Sequence, residues 1–110
     1  MIDRTGIKAR LDAAAAAMGG VETLPDADGV STWSADGVAF AHLTNAAVEL
    51  RLDPPIADAA TRTPDTTSSP RGPAWVRFHP RVLDAHAADR LDAWFALARR
   101  RAAPAQKGEE

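Results

Sequence analysis

Among the residues of this chain, Ser31, His42, Glu49, His79 and His86 have the types that do chemistry. His42, His79 and Glu49 would make an acceptable ligand set for a divalent metal if one surface gathered them, since two imidazoles and a carboxylate suit such ions. No local spacing enforces that convergence, and the simpler expectation is histidines in solvent or packed on tryptophan, with no metal and no cofactor. Ser31, His42 and Glu49 fall in one row if the strands described below register as their turns dictate, which puts a hydroxyl, a base and a carboxylate in triad order. A serine in a regular strand lacks the exposed turn and the oxyanion donors that acyl transfer needs, so we assign no catalytic residue. His86 stands beside Asp84 and Asp89 near the start of a helix and reads as a surface histidine. The chain has no cysteine, which removes disulfides, thiol catalysis and cysteine-ligated metals together.

A second group of residues suits binding better than catalysis. Trp33, Phe40 and Trp75 supply rings, Arg51 and Arg77 supply guanidiniums, and with His42, Glu49 and His79 they make a recognition surface if one face collects them. The partner expected for such a face is a second copy of the chain or another protein, ahead of a small molecule. Nucleic acid is a weaker fit. Arg99, Arg100, Arg101 and Lys107 cluster near the C-terminal end, and rings can stack on bases, but the net charge is −2 and the pI about 5.9. No apolar run approaches the ~20 residues of a membrane span, and Met1-Ile2-Asp3-Arg4 has no apolar signal core, so the expected location is cytoplasmic.

These residues need elements to position them. From Asp3 to Met18, Ile7, Leu11, Ala14, Ala15 and Met18 recur at helical spacing, with Asp3 or Thr5 as N-cap and Gly19-Gly20 as the stop. After Val21 to Leu24 and the polar Pro25 to Gly29 come two strand-like runs, Val30 to Ala35 and Val38 to Leu43, joined by Asp36-Gly37, a two-residue hairpin signal. Asn45 marks the next turn, and Ala47 to Leu52 alternates until Asp53-Pro54-Pro55 ends it. Two-residue turns then place Ala35 opposite Val38, Trp33 opposite Phe40, Ser31 opposite His42 and His42 opposite Glu49. One face collects Val30, Thr32, Ala39, Ala41, Leu43, Val48, Leu50 and Leu52, joined by Val76 and Phe78, and is the expected core. The other collects Ser31, Trp33, Phe40, His42, Glu49, Arg51, Trp75, Arg77 and His79.

Residues 53–73 are rich in proline, threonine and serine and are expected to form a mobile connection with neither strand nor long helix, apart from a turn at Ile56 to Ala60. Trp75 to His79 reads as the fourth strand. From Asp84 to Ala103, Ala87, Leu91, Trp94, Phe95 and Ala98 share one stripe, so Trp94 and Phe95 should anchor a second long helix, with Arg99 to Arg101 complementing its C-terminal dipole. Residues 104–110 are expected to be a disordered tail. Half of the apolar residues are alanine, which limits a single domain over residues 1–103 to a thin core.

The run Gly37-Val38-Ala39-Phe40-Ala41-His42-Leu43, then Val48-Glu49-Leu50-Arg51-Leu52 before prolines, then Ala74-Trp75-Val76-Arg77-Phe78 and a helix with Leu91, Trp94, Phe95 and Leu97 resembles the MmcQ/YjbR-like proteins. It is also similar to the small bacterial luciferase-family domains. The resemblance spans roughly residues 35–100, and Ala74 stands where such proteins commonly carry glycine before the tryptophan. It implies an α+β domain in which an antiparallel four-stranded sheet carries the N-terminal and C-terminal helices on one face. It implies no catalytic residues. The expected function is a non-catalytic binding or interaction module, the alternatives being a small-molecule or cofactor-dependent enzyme and a DNA-binding accessory protein.

Overall fold

The computed structural model describes residues 4–102. The elements follow in the order α1 (Arg4–Met18), β1 (Glu22–Ala27), β2 (Val30–Ala35), β3 (Val38–Thr44), β4 (Ala47–Arg51), α2 (Pro54–Ala60), β5 (Thr66–Ser68), β6 (Trp75–Phe78) and α3 (Ala85–Ala102). The fold is α+β. All strands join one antiparallel sheet in the order β1-β2-β3-β4-β6-β5. The sheet therefore has six strands where four were expected, because each edge gains one.

Turn chemistry builds the meander. Asp28-Gly29 and Asp36-Gly37 both hold positive φ at two successive residues (55° and 77°, 54° and 79°), the backbone that a tight hairpin with right-handed twist requires. The first of these turns makes β1 a hairpin partner of β2. Residues 53–73 also hold more structure than expected. Pro54 and Pro55 occupy the first turn of α2, where their missing N–H groups cost nothing, and Ala57 and Ala60 are buried. Beyond it β5 pairs with β6, Thr67 opposite Arg77.

α1 and α3 lie on one face of the sheet. Ile7, Leu11 and Ala15 from α1 join Leu91, Phe95, Ala98 and Ala102 from α3 in a single cluster with Leu43, Val48, Leu50, Val76 and Phe78. A bidentate ion pair clamps the helices, Arg10 Nε and Nη2 donating to the two Asp92 oxygens at 2.9 and 2.8 Å. Asp84 caps α3, its Oδ1 accepting from the Ala87 N–H at 2.9 Å. As expected, Phe95 is fully buried and Trp94 packs against the core, although only partly buried.

One residue reverses the expected facing of β2. Ala35 is opposite Val38 as the turn requires, and Ser34 is opposite Ala39, but Trp33 is opposite Ala41. Phe40 is the extra residue of a β-bulge, so Phe40 and Ala41 both point toward the helices. The one-residue shift turns Ser31, Trp33 and Ala35 into the core and moves Val30, Thr32 and Ala39 to the uncovered side. Trp33 and Phe40, expected on the uncovered face, are instead fully buried and both meet Phe95, with ring centroids 6.0 and 5.2 Å apart. The bulge thus gives the small core two of its largest side chains.

Candidate functional site

The face away from α1 and α3 carries a row of side chains across all six strands. In register these are Leu24, Thr32, His42, Glu49, Arg77 and Thr67, with Arg51 opposite Trp75 one step along. Of the eight expected surface residues, His42, Glu49, Arg51, Trp75 and Arg77 share this face, and His79 follows at the exposed end of β6. Thr32 takes the place expected for Ser31, which faces the core opposite Leu43. The proposed Ser-His-Glu row therefore does not form.

Two residues that the pattern did not single out complete the cluster. Ser69 and Arg71 come from the turn before β6, which is closed by backbone bonds from Gly72 N to Ser69 O and from Trp75 N to Gly72 O. Ser69 Oγ donates to Glu49 Oε2 at 2.7 Å and accepts from the Arg71 N–H, while Arg71 Nε donates to Glu49 Oε1 at 2.6 Å. The Arg71 guanidinium also lies over the Trp75 ring, 5.7 Å from its centroid. On Trp75 stacks His42, 5.3 Å away with the rings 28° from parallel. His42 Nδ1 in turn shares a 2.9 Å hydrogen bond with Thr32 Oγ1. The only sequence signal for this arrangement was the Ser-Pro-Arg-Gly-Pro turn ahead of Ala74-Trp75.

The electrostatics make a closed circuit. Burial disfavours the charged form of His42, the Arg71 cation disfavours it further, and Glu49 only partly opposes them, so the imidazole titrates below its ordinary 6.5. Burial alone would raise the Glu49 carboxyl. The hydrogen bonds from Ser69 and Arg71, helped by the Arg71 and His42 charges, outweigh it and hold Glu49 below its usual range. Each Glu49 oxygen accepts one of these hydrogen bonds, which fixes the carboxylate in place and favours its charged form. Among the described residues, no group of three or more His, Asp, Glu or Cys side chains could hold a metal ion.

A concavity of about 280 Å³ lies between the β5 approach and the start of α3, lined by Asp65, Arg81, Val82, His86 and Arg90 among others. Its charges are largely committed: Arg81 Nε donates to Asp65 Oδ1 at 3.1 Å, and Arg90 lies over the Phe78 ring. No protein-family model, curated protein or solved structure matches the chain.

Both shifts act on stability in the same direction. A group whose folded pKa is depressed leaves the unfolded chain binding more protons, so stability is lost as pH falls. Unfolding free energy should begin to decline as pH drops below the ordinary histidine range and decline further as Glu49 protonates. Glu49→Gln should lose about 1–2 kcal/mol at pH 7 and show a smaller further loss than wild type once pH falls below the ordinary carboxylate range. Urea titrations carried from pH 7 to below the ordinary carboxylate range measure this difference, and parallel profiles for the two proteins below that range would contradict it.

Proposed function

We propose that the protein is a non-catalytic binding module that meets a protein partner, a second copy of the chain or another protein, through the uncovered sheet face. The observation that carries this reading is the placing of Trp75, His42, Arg71, Arg51 and Arg77 on the side of the sheet that α1 and α3 leave open. Trp75 is only half-buried by its neighbours, and an amphipathic ring flanked by guanidiniums is the composition that interface centres favour. An enzyme reading gains less from the geometry, since Glu49 already accepts from Ser69 and Arg71 and His42 is oriented by Thr32 and Trp75.

The element order, with a helix, an antiparallel meander, the Trp75-Val76 strand and a final helix, supports kinship with the MmcQ/YjbR-like proteins as part of the same proposal. No helix of the described residues is long and apolar enough to cross a membrane. A cytoplasmic location belongs to the proposal.

The test is the variant Trp75→Ala/Arg77→Ala. Its thermal unfolding should stay cooperative at a cost of about 1–2 kcal/mol, since one ring is partly exposed and the guanidinium is free. Its concentration-dependent association in sedimentation equilibrium should fall below that of the wild-type chain. Loss of the fold in this variant, or self-association equal to that of a wild-type chain that does associate, would place the interface elsewhere.

A further inference from the structure

Two cations on the uncovered face have no ion-pair partner among the described residues. Arg51 on β4 and Arg77 on β6 enter no ion pair among the described residues. Glu49, opposite Arg77 and two residues before Arg51, is the carboxylate nearest both in register, and Ser69 and Arg71 already occupy it. Glu22 also stands on this face, through its register with Ser34, but three strands from β4. At roughly 4.8 Å per strand that distance exceeds the ~8 Å screening length at physiological salt. Asp53, two residues past Arg51, is held by Arg101, and Asp65, near the end of β6, is held by Arg81. Arg51 and Arg77 therefore sit at diagonal positions of neighbouring strands, about 7–8 Å apart at the backbone, with no compensating carboxylate of their own.

We infer that this pair receives an acidic polypeptide segment, its carboxylates meeting Arg51 and Arg77 beside the Trp75 ring. The inference rests on the binding-face reading above and adds the chemistry of the partner. A polypeptide suits the site better than the other anions. Nucleic-acid binding draws on about six to ten phosphate contacts, and two free guanidiniums in a chain of net charge −2 supply few. Bases would also need an open ring to stack on, whereas Trp75 already carries His42 and Arg71. A small free carboxylate would lie on an open face with no cavity around it, where a single ion pair contributes little. A chain with several carboxylates engages both guanidiniums at once, and the second contact then forms intramolecularly.

The experiment is a titration of the ¹⁵N-labelled chain with a short glutamate-rich peptide, its glutamine counterpart and a single-stranded oligodeoxynucleotide, at low and at physiological salt. The glutamate peptide should shift the amides of Arg51, Trp75, Arg77 and Thr67 and should weaken as salt rises, while the glutamine peptide should not bind. Arg51→Gln/Arg77→Gln, which keeps the side-chain stems, should weaken binding about tenfold or more. Arg100→Gln, exposed on α3, should leave it unchanged. Equal binding by the glutamine peptide, no binding of the glutamate peptide, or shifts confined to Arg99, Arg100 and Arg101 would overturn the inference. Tighter binding of the oligonucleotide to the same amides would overturn it in favour of nucleic acid. If the glutamate peptide fails while Trp75→Ala/Arg77→Ala still abolishes self-association, the binding face stands and only its acidic partner falls.

Discussion

Trp33→Ala should destabilise the protein by about 3–5 kcal/mol, a large share of the roughly 5–15 kcal/mol that holds a domain of this size. The indole is fully buried under the helices. It meets Phe95 edge-on, with ring centroids 6.0 Å apart and planes at 88°, and its Nε1–H donates to Asp12 Oδ1 at 3.0 Å. Asp12 also receives Lys8 Nζ at 2.9 Å, so removing the indole takes one donor from a carboxylate that joins α1 to β2. Alanine would leave a cavity in a core that has few large side chains with which to collapse it. Trp75→Ala, on the opposite face and only half-buried, should cost about 1–2 kcal/mol. Denaturant unfolding of the two variants separates them, and equal losses would mean that the bulge does not divide their environments.

That division is what the sequence pattern could not show. Asp36-Gly37 and Asn45 mark their turns plainly, and the β3–β4 pairing of Ala41 with Leu50 and His42 with Glu49 follows from them. A turn, however, controls register only until the ladder is interrupted. The interruption falls within Ala39-Phe40-Ala41, where every residue is apolar and none announces a bulge. The pairing therefore holds at Ala35 and Val38 and fails at Trp33, and the error carries through the rest of β2. The edge strands were hidden for other reasons. β1 contains Pro25 and Asp26, which read as the end of a strand, although Asp28-Gly29 repeats the hairpin signal seen eight residues later. β5 is Thr-Thr-Ser, three residues with no apolar alternation, and it forms because β6 offers it a free edge.

For the site, the strand-borne residues were legible and the loop-borne ones were not. His42, Glu49, Arg51, Trp75 and Arg77 share a face because β3, β4 and β6 keep the period of two. Ser69 and Arg71 reach Glu49 over 20 and 22 residues of chain, and no periodicity links them to it. Their arrival changes the chemistry of the face. The Glu49 carboxylate is paired with Arg71, and the cations left without an ion pair there among the described residues are Arg51 and Arg77. The uncovered side is thus less aromatic than the pattern implied, and these two arginines stand on it without an ion-pair partner.

The same physics distinguishes the two adjacent aromatic residues of α3. Phe95→Ala should cost about 3–5 kcal/mol and Trp94→Ala about 1–2.5 kcal/mol, although tryptophan is the larger side chain. Phe95 shares the buried stripe with Leu91, Ala98 and Ala102, is itself fully buried, and touches both rings that the bulge delivers, Trp33 and Phe40. Trp94, one residue and about 100° around the helix, reaches Phe78 edge-on at 5.4 Å while keeping part of its surface in solvent. Because Phe95 and Trp33 are in contact, the Trp33→Ala/Phe95→Ala double variant should lose less than the sum of the two singles, by about 0.5–3 kcal/mol, since the first cavity already removes contacts that the second would have broken. Additive losses would mean that the two rings are anchored independently, and a Trp94→Ala loss equal to that of Phe95→Ala would mean that the buried face of α3 is rotated toward Trp94. Additive losses would also weaken the account of the bulge at Phe40, because the bulge that seats Trp33 against Phe95 is the same irregularity that leaves Thr32 beside His42.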